Sequence, residues 1–159
     1  MTNQMNTIKK LLFASACATL LIFTNCGGAD DDPVVKQTAA ENNAFLLERK
    51  WKLSSVTNGG TIRDEWTGFT LEFGVDSDLG GGSYTASGIP SDDGANSVWA
   101  TSGTFSASND LTALTRDADG VIMTMVASET NCNISFNVSD AGGRVAGFTG
   151  SWVFTMTAQ

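Results

Sequence analysis

Apolar residues recur at every second position through most of the chain beyond Lys50. Trp51 and Leu53 alternate with Lys50 and Lys52, and Phe69, Leu71 and Phe73 alternate with Thr70 and Glu72. Trp99, Thr101, Gly103 and Phe105 share a face, as do Cys132, Ile134, Phe136 and Val138 against Asn133, Ser135 and Asn137. Trp152, Phe154 and Met156 repeat the pattern against Val153 and Thr155. A period of two is that of a half-buried strand. Three further segments complete the set: Ser83 to Ala86 with the only tyrosine, Tyr84, and the pair Leu111 to Arg116 and Val121 to Ser128 around Asp117-Ala118-Asp119-Gly120. Gly120 suits the left-handed position of a short hairpin loop. Asn58-Gly59-Gly60, Asp78-Leu79-Gly80-Gly81-Gly82 and Ser91-Asp92-Asp93-Gly94 punctuate the strands.

The pattern changes before Lys50. Thr38-Ala39-Ala40-Glu41 has the spacing of a capping box, predicting a short helix from Ala39 to about Glu48. A helix of that length is marginal alone, so Phe45, Leu46 and Leu47 are expected to dock on the closed end of the sheet. Eight strands joined mostly by hairpin-length connections predict an all-β, antiparallel up-and-down barrel. A β-sandwich satisfies the same periodicities. The barrel is preferred because closure removes exposed edges and no long Greek-key crossover is visible.

Ahead of this domain, Lys9-Lys10 and the apolar run Leu11 to Phe23 have the form of an export signal and are too short to span a bilayer. Cys17 lies within the run and would leave too short an apolar stretch; Cys26 ends it and is the expected lipidation site. The organisation is therefore residues 1–25 as a lipoprotein signal peptide, 26–38 as an acidic flexible tether containing Asp30-Asp31-Asp32, and 39–159 as the barrel. The expected membrane partner is reached through the acyl anchor at Cys26, two acyl chains sufficing for stable attachment where one is marginal.

Charge and composition narrow the function. Removing residues 1–25 takes away Lys9 and Lys10 and no acid, turning a formal charge of −8 into −10. This is no nucleic-acid footprint. Histidine is absent, so the commonest general base and transition-metal ligand is missing. A hydrolase would need a lysine or carboxylate base, and the domain's lysines lie near its amino end. No enzyme, catalytic residue, metal site or cofactor is therefore assigned. With Cys17 removed and Cys26 acylated, Cys132 stands alone on a strand face, expected as an unreactive core residue. Asp76-Ser77-Asp78 begins like a calcium loop, but its twelfth position is Ser87, and a polar turn is expected. Asn133-Ile134-Ser135 and Asn137-Val138-Ser139 read as outward strand positions that happen to match sequons.

The segments Glu48 to Leu53, Gly68 to Phe73, Val98 to Phe105 and Gly150 to Phe154 resemble the lipocalin-like domains of Bacteroidota lipoproteins over nearly all of residues 48–157. Trp51 stands where secreted lipocalins carry a first-strand tryptophan, although Arg49 replaces their preceding glycine, and Arg144 precedes the last strand. Phe23-Thr24-Asn25-Cys26 is loosely similar to a lipobox, and the acidic run after Cys26 resembles a Bacteroidota surface-export signal. The resemblance implies an outer-membrane, lipid-anchored protein displayed at the cell surface; the alternative is the periplasmic face.

Two functional classes remain. In one, the barrel carries a small apolar or amphipathic ligand lined by Trp51, Phe69, Phe73, Trp99, Phe136, Trp152 and Phe154, with the Asn58 to Thr67 loop and its Trp66 near the mouth. In the other, these rings fill the core, each burying roughly 150–250 Å². The protein is then a surface interaction or structural module using the loops Thr61 to Thr67 and Ser87 to Ser97 for a protein, glycan or inhibited enzyme. No particular protein partner is indicated.

Overall fold

Eight antiparallel strands close on themselves, which decides between barrel and sandwich in favour of the barrel. The computed structural model describes residues 36–139 and 147–159. The signal segment, Cys26 and Arg144 lie outside the described residues, as does the tether before Lys36. The unit Lys36–Gln159 contains α1 (Ala39–Leu47), β1 (Lys50–Asn58), β2 (Thr61–Ile62), β3 (Thr70–Val75), β4 (Gly81–Ser87), α2 (Ala95–Val98) and β5 (Ser102–Ala107). β6 (Ala113–Arg116), β7 (Ile122–Ala127), β8 (Asn131–Val138) and β9 (Gly150–Ala158) follow. Each strand from β3 onward pairs with the next, and β9 returns to β1 from Trp51↔Ala158 to Asn58↔Trp152.

Strand alternation sends one row of side chains inward. In β8, Cys132, Ile134, Phe136 and Val138 are buried; in β9, so are Trp152, Phe154 and Met156. Asn133 and Asn137 are exposed on the outer face. The period slips once, between Leu53 and Ser55 of β1, where a bulge lets Val56 rather than Ser55 point inward. Gly103 faces Tyr84 across β4 and β5, and the ring lies where a Cβ would be, its hydroxyl 2.6 Å away.

The capping box forms: Thr38 Oγ1 accepts from the Glu41 amide (3.2 Å), and Glu41 Oε2 accepts from the Thr38 amide (2.6 Å). α1 then crosses one end of the barrel, fastened by Asn43 Nδ2 donating to Asp110 O and the Val75 amide donating to Glu48 Oε1. Ala44 and Leu47 face the core, but Phe45 is exposed. Docking thus uses Ala44 and Leu47, because Phe45 lies on the helix's outer face with Glu41 and Glu48.

Two strands begin later than the alternation predicts. Trp99 is not a strand residue; it ends α2, which starts at Gly94 with φ of 100° and is closed by Ser97 Oγ donating to Gly94 O (2.6 Å). β6 starts at Ala113 because Leu111 takes φ of 55° in a turn tied by Asp110. Asp110 Oδ1 accepts from the hydroxyls of Ser108 (2.7 Å) and Thr112 (2.8 Å) and from the Thr112 amide. These bonds and the burial of Leu111 offset a left-handed backbone costing about 1–2 kcal/mol.

Candidate functional site

The site nominated from the sequence is the barrel interior. All seven nominated aromatics are buried. Five of them join one lattice of rings: Phe69, Trp99, Phe136, Trp152 and Phe154. Phe154 is its hub, with centroids 5.3 Å from Phe69, 5.8 Å from Phe136, 5.9 Å from Trp152 and 6.0 Å from Trp99. Phe73 stands apart against Phe105 (5.8 Å). Trp51 sits beneath α1, its indole N–H donating to Leu47 O at 3.2 Å.

The loop end is closed by residues that alternation does not reveal. A 3-10 turn, Asp64–Trp66, drops Trp66 into the barrel, where it meets Phe69, Trp152 and Phe154 edge-on at 5.3–5.6 Å. Trp66 was expected near the mouth and instead plugs it. Trp99 plugs from the α2 side, edge-on to Tyr84 (5.3 Å) and Phe136 (5.5 Å). Phe148 stacks on Trp152, whose indole N–H donates to Phe148 O at 3.0 Å. Among the described residues, the indole nitrogens of Trp66 and Trp99 are buried with no acceptor. Edge-on neighbours offer them only weak N–H···π contacts.

Two arginines fasten these plugs. Arg116, 3% exposed at the end of β6, donates to the carbonyls of Val98 and Ser97 and pairs with Asp119 (2.7 Å). Its guanidinium also lies over the Trp99 and Phe136 rings, at 5.7 and 5.5 Å. Arg63 pairs with Glu65, donates to Gly147 O (2.7 Å) and covers Phe148 and Trp152 at 5.3 and 5.1 Å. A charged residue at a predicted strand end was the available signal for Arg116. Asp119 is only three residues on, but the carbonyls and rings that Arg116 holds are distant in sequence, so spacing could not supply them.

Burial governs the titrating groups here. It raises the Tyr84 phenol, against the opposing pull of the Arg116 charge. The Cys132 thiol is pushed up to about 12 by burial. The interior therefore holds a protonated thiol rather than a nucleophilic thiolate. Among the described residues no group of three His, Cys, Asp or Glu is placed to hold a metal ion, and the Asp76 turn closes with the Gly80 amide on Asp78 Oδ1.

The described hollows lie outside the ring lattice. Two flank α1: one of about 160 Å³ beside Leu47, Leu111 and Met125, and one of about 460 Å³ beside Phe45, Leu46 and Glu129. A third, about 180 Å³, is a notch between the β1 bulge and the loop at Arg63. Among the described residues no helix is long and apolar enough to cross a membrane. No protein-family model matches the chain, and neither does any curated protein.

Proposed function

We propose that this chain is a lipid-anchored cell-envelope protein of the lipocalin-like lipoprotein type, noncatalytic, in which a filled barrel serves as a rigid support and recognition falls to the loops. The filling of the interior carries this reading: Trp66 and Trp99 occupy the space a ligand would take, and Phe154 is in ring contact on several sides. Small barrels are commonly filled by side chains. The loops 59–69 and 88–101 surround the plugged end and expose Asp64, Glu65, Asp92 and Asp93, so a cationic or hydroxyl-rich partner suits them better than an acidic one. Attachment at Cys26 and display at the outer-membrane surface belong to the same proposal and rest on the signal, the lipobox-like tetrapeptide and the acidic run.

One observation favours a second reading, an amphipathic ligand inside the barrel. The unpartnered indole N–H groups of Trp66 and Trp99 are donors that a carbonyl or carboxylate could satisfy if the loop plugs withdrew. Native mass spectrometry of the protein after incubation with a lipid and metabolite extract of its own cells separates the two. Unchanged mass supports the filled support; a stoichiometric adduct, lost when Trp99 is substituted, supports the carrier.

A further inference from the structure

The end of the barrel covered by α1 carries an apolar feature that the packed core does not use. Phe45 is 62% exposed on the outer face of the helix, and beside it lies the hollow of about 460 Å³ lined by Gln37, Asn42, Phe45, Leu46, Ser128 and Glu129. Arg49 lies over the outward ring at 5.3 Å and is held there by donating to Glu129 O (2.9 Å). An exposed phenylalanine capped by a fixed guanidinium has an apolar body and a cationic rim, the arrangement suited to a water–lipid boundary.

Chain length states which surface is near. Lys36 follows Cys26 by ten residues, a span of at most roughly 35 Å when fully extended. An acyl group on Cys26 therefore keeps Lys36, three residues ahead of α1, within that distance of the bilayer. Arg49 over Phe45 suits lipid phosphates, whereas the exposed Glu41 and Glu48 suit the ammonium group of a zwitterionic head and would be repelled by a uniformly anionic surface.

We propose that the α1 end is a lipid-docking face: Phe45 enters the headgroup region of a zwitterionic phospholipid surface, so that the plugged, acidic loop end points away from the membrane. The proposal rests on acylation at Cys26. It adds an orientation to the anchor and gives the domain a fixed outward face.

The test uses the acylated full chain in phosphatidylcholine vesicles whose acyl chains are brominated near the headgroups. Phe45→Trp is compared with Ile122→Trp, a position equally exposed at 62% but at the loop end of β7. The native tryptophans are all buried and supply a common background. The Phe45→Trp emission is expected to be quenched about twofold or more beyond that of Ile122→Trp, since interfacial side chains sit only some 5–10 Å deep. Replacing part of the lipid by phosphatidylglycerol is expected to weaken that quenching. Equal quenching in both variants overturns the docking face while the chain still floats with the vesicles. Twice the monomer mass together with a shielded Phe45→Trp overturns it in favour of a second copy. If Cys26→Ala floats as well as the unaltered chain, the anchor reading fails first and the docking face fails with it.

Discussion

Cys132 shows how a single buried group makes the barrel sensitive to base. Its thiol titrates near 12 in the fold against a usual 9.0, because burial penalises the thiolate. Below pH 9 both folded and unfolded chains hold the proton, and the full stability is present. Between pH 9 and 12 the unfolded chain gives up a proton that the native one keeps, and each unit costs about 1.4 kcal/mol. Urea midpoints measured from pH 8 to 11 are expected to fall for the native sequence and to fall less steeply for Cys132→Ala; equal slopes would place the loss elsewhere. Arg116 makes a different point. Asp119→Ala leaves a buried guanidinium facing carbonyls alone and is expected to cost about 2–4 kcal/mol, whereas adding Arg116→Met to that variant is expected to recover part of the loss. Chemical denaturation of the single and double variants measures this, and simple additivity would contradict the pairing.

At the level of elements, the plugs carry the largest consequence. Trp66 is fully buried and arrives on a 3-10 turn rather than a strand, so Trp66→Ala deletes a ring that no neighbouring strand can replace. A loss of about 3–5 kcal/mol is expected, together with an apolar cavity able to take benzene, which would raise the melting temperature of the variant and leave that of the native protein unchanged. Absence of that stabilisation would mean the loop collapses into the space. Local signals predicted the hairpin at Gly120, with its φ of 69°, the strict alternation of β8 and the capping box at Thr38. Each of these is decided within a few residues. The assignment of Trp99 to a strand failed because its spacing from Gly103 and Phe105 imitates a strand face. Its actual place is fixed by Gly94 in the left-handed region and by Arg116, whose bonds reach 18 and 19 residues back. The two-residue β2 and the bulge after Leu53 are likewise settled by pairing across the barrel. The seven candidate rings were identified from alternation alone, but whether they line a space or fill it depended on Trp66 and Phe148, which come from loops.

For the whole molecule, the decisive contact is between the first strand and the last. β1 and β9 pair along Trp51 to Asn58, and β9 also pairs with all of β8, so the final strand bridges two edges at once. It brings Trp152, Phe154 and Met156 into the core, including the ring that touches Phe69, Trp99 and Phe136. A chain ended after Val138 would present the edges of β8 and β1 and lack the hub of its aromatic lattice. Such a chain is expected to lose its near-ultraviolet circular dichroism, which reports the fixed packing of the remaining tryptophans. The peptide Gly150 to Ala158 supplied separately is expected to restore part of that signal by adding as a strand between the two edges. A scrambled peptide with the same composition should not, because moving the inward residues by one position turns the apolar set toward solvent. Full signal in the truncated chain would show that the other seven strands of the barrel can close without β9, and the rigid support would then be a property of fewer strands than the closed barrel contains.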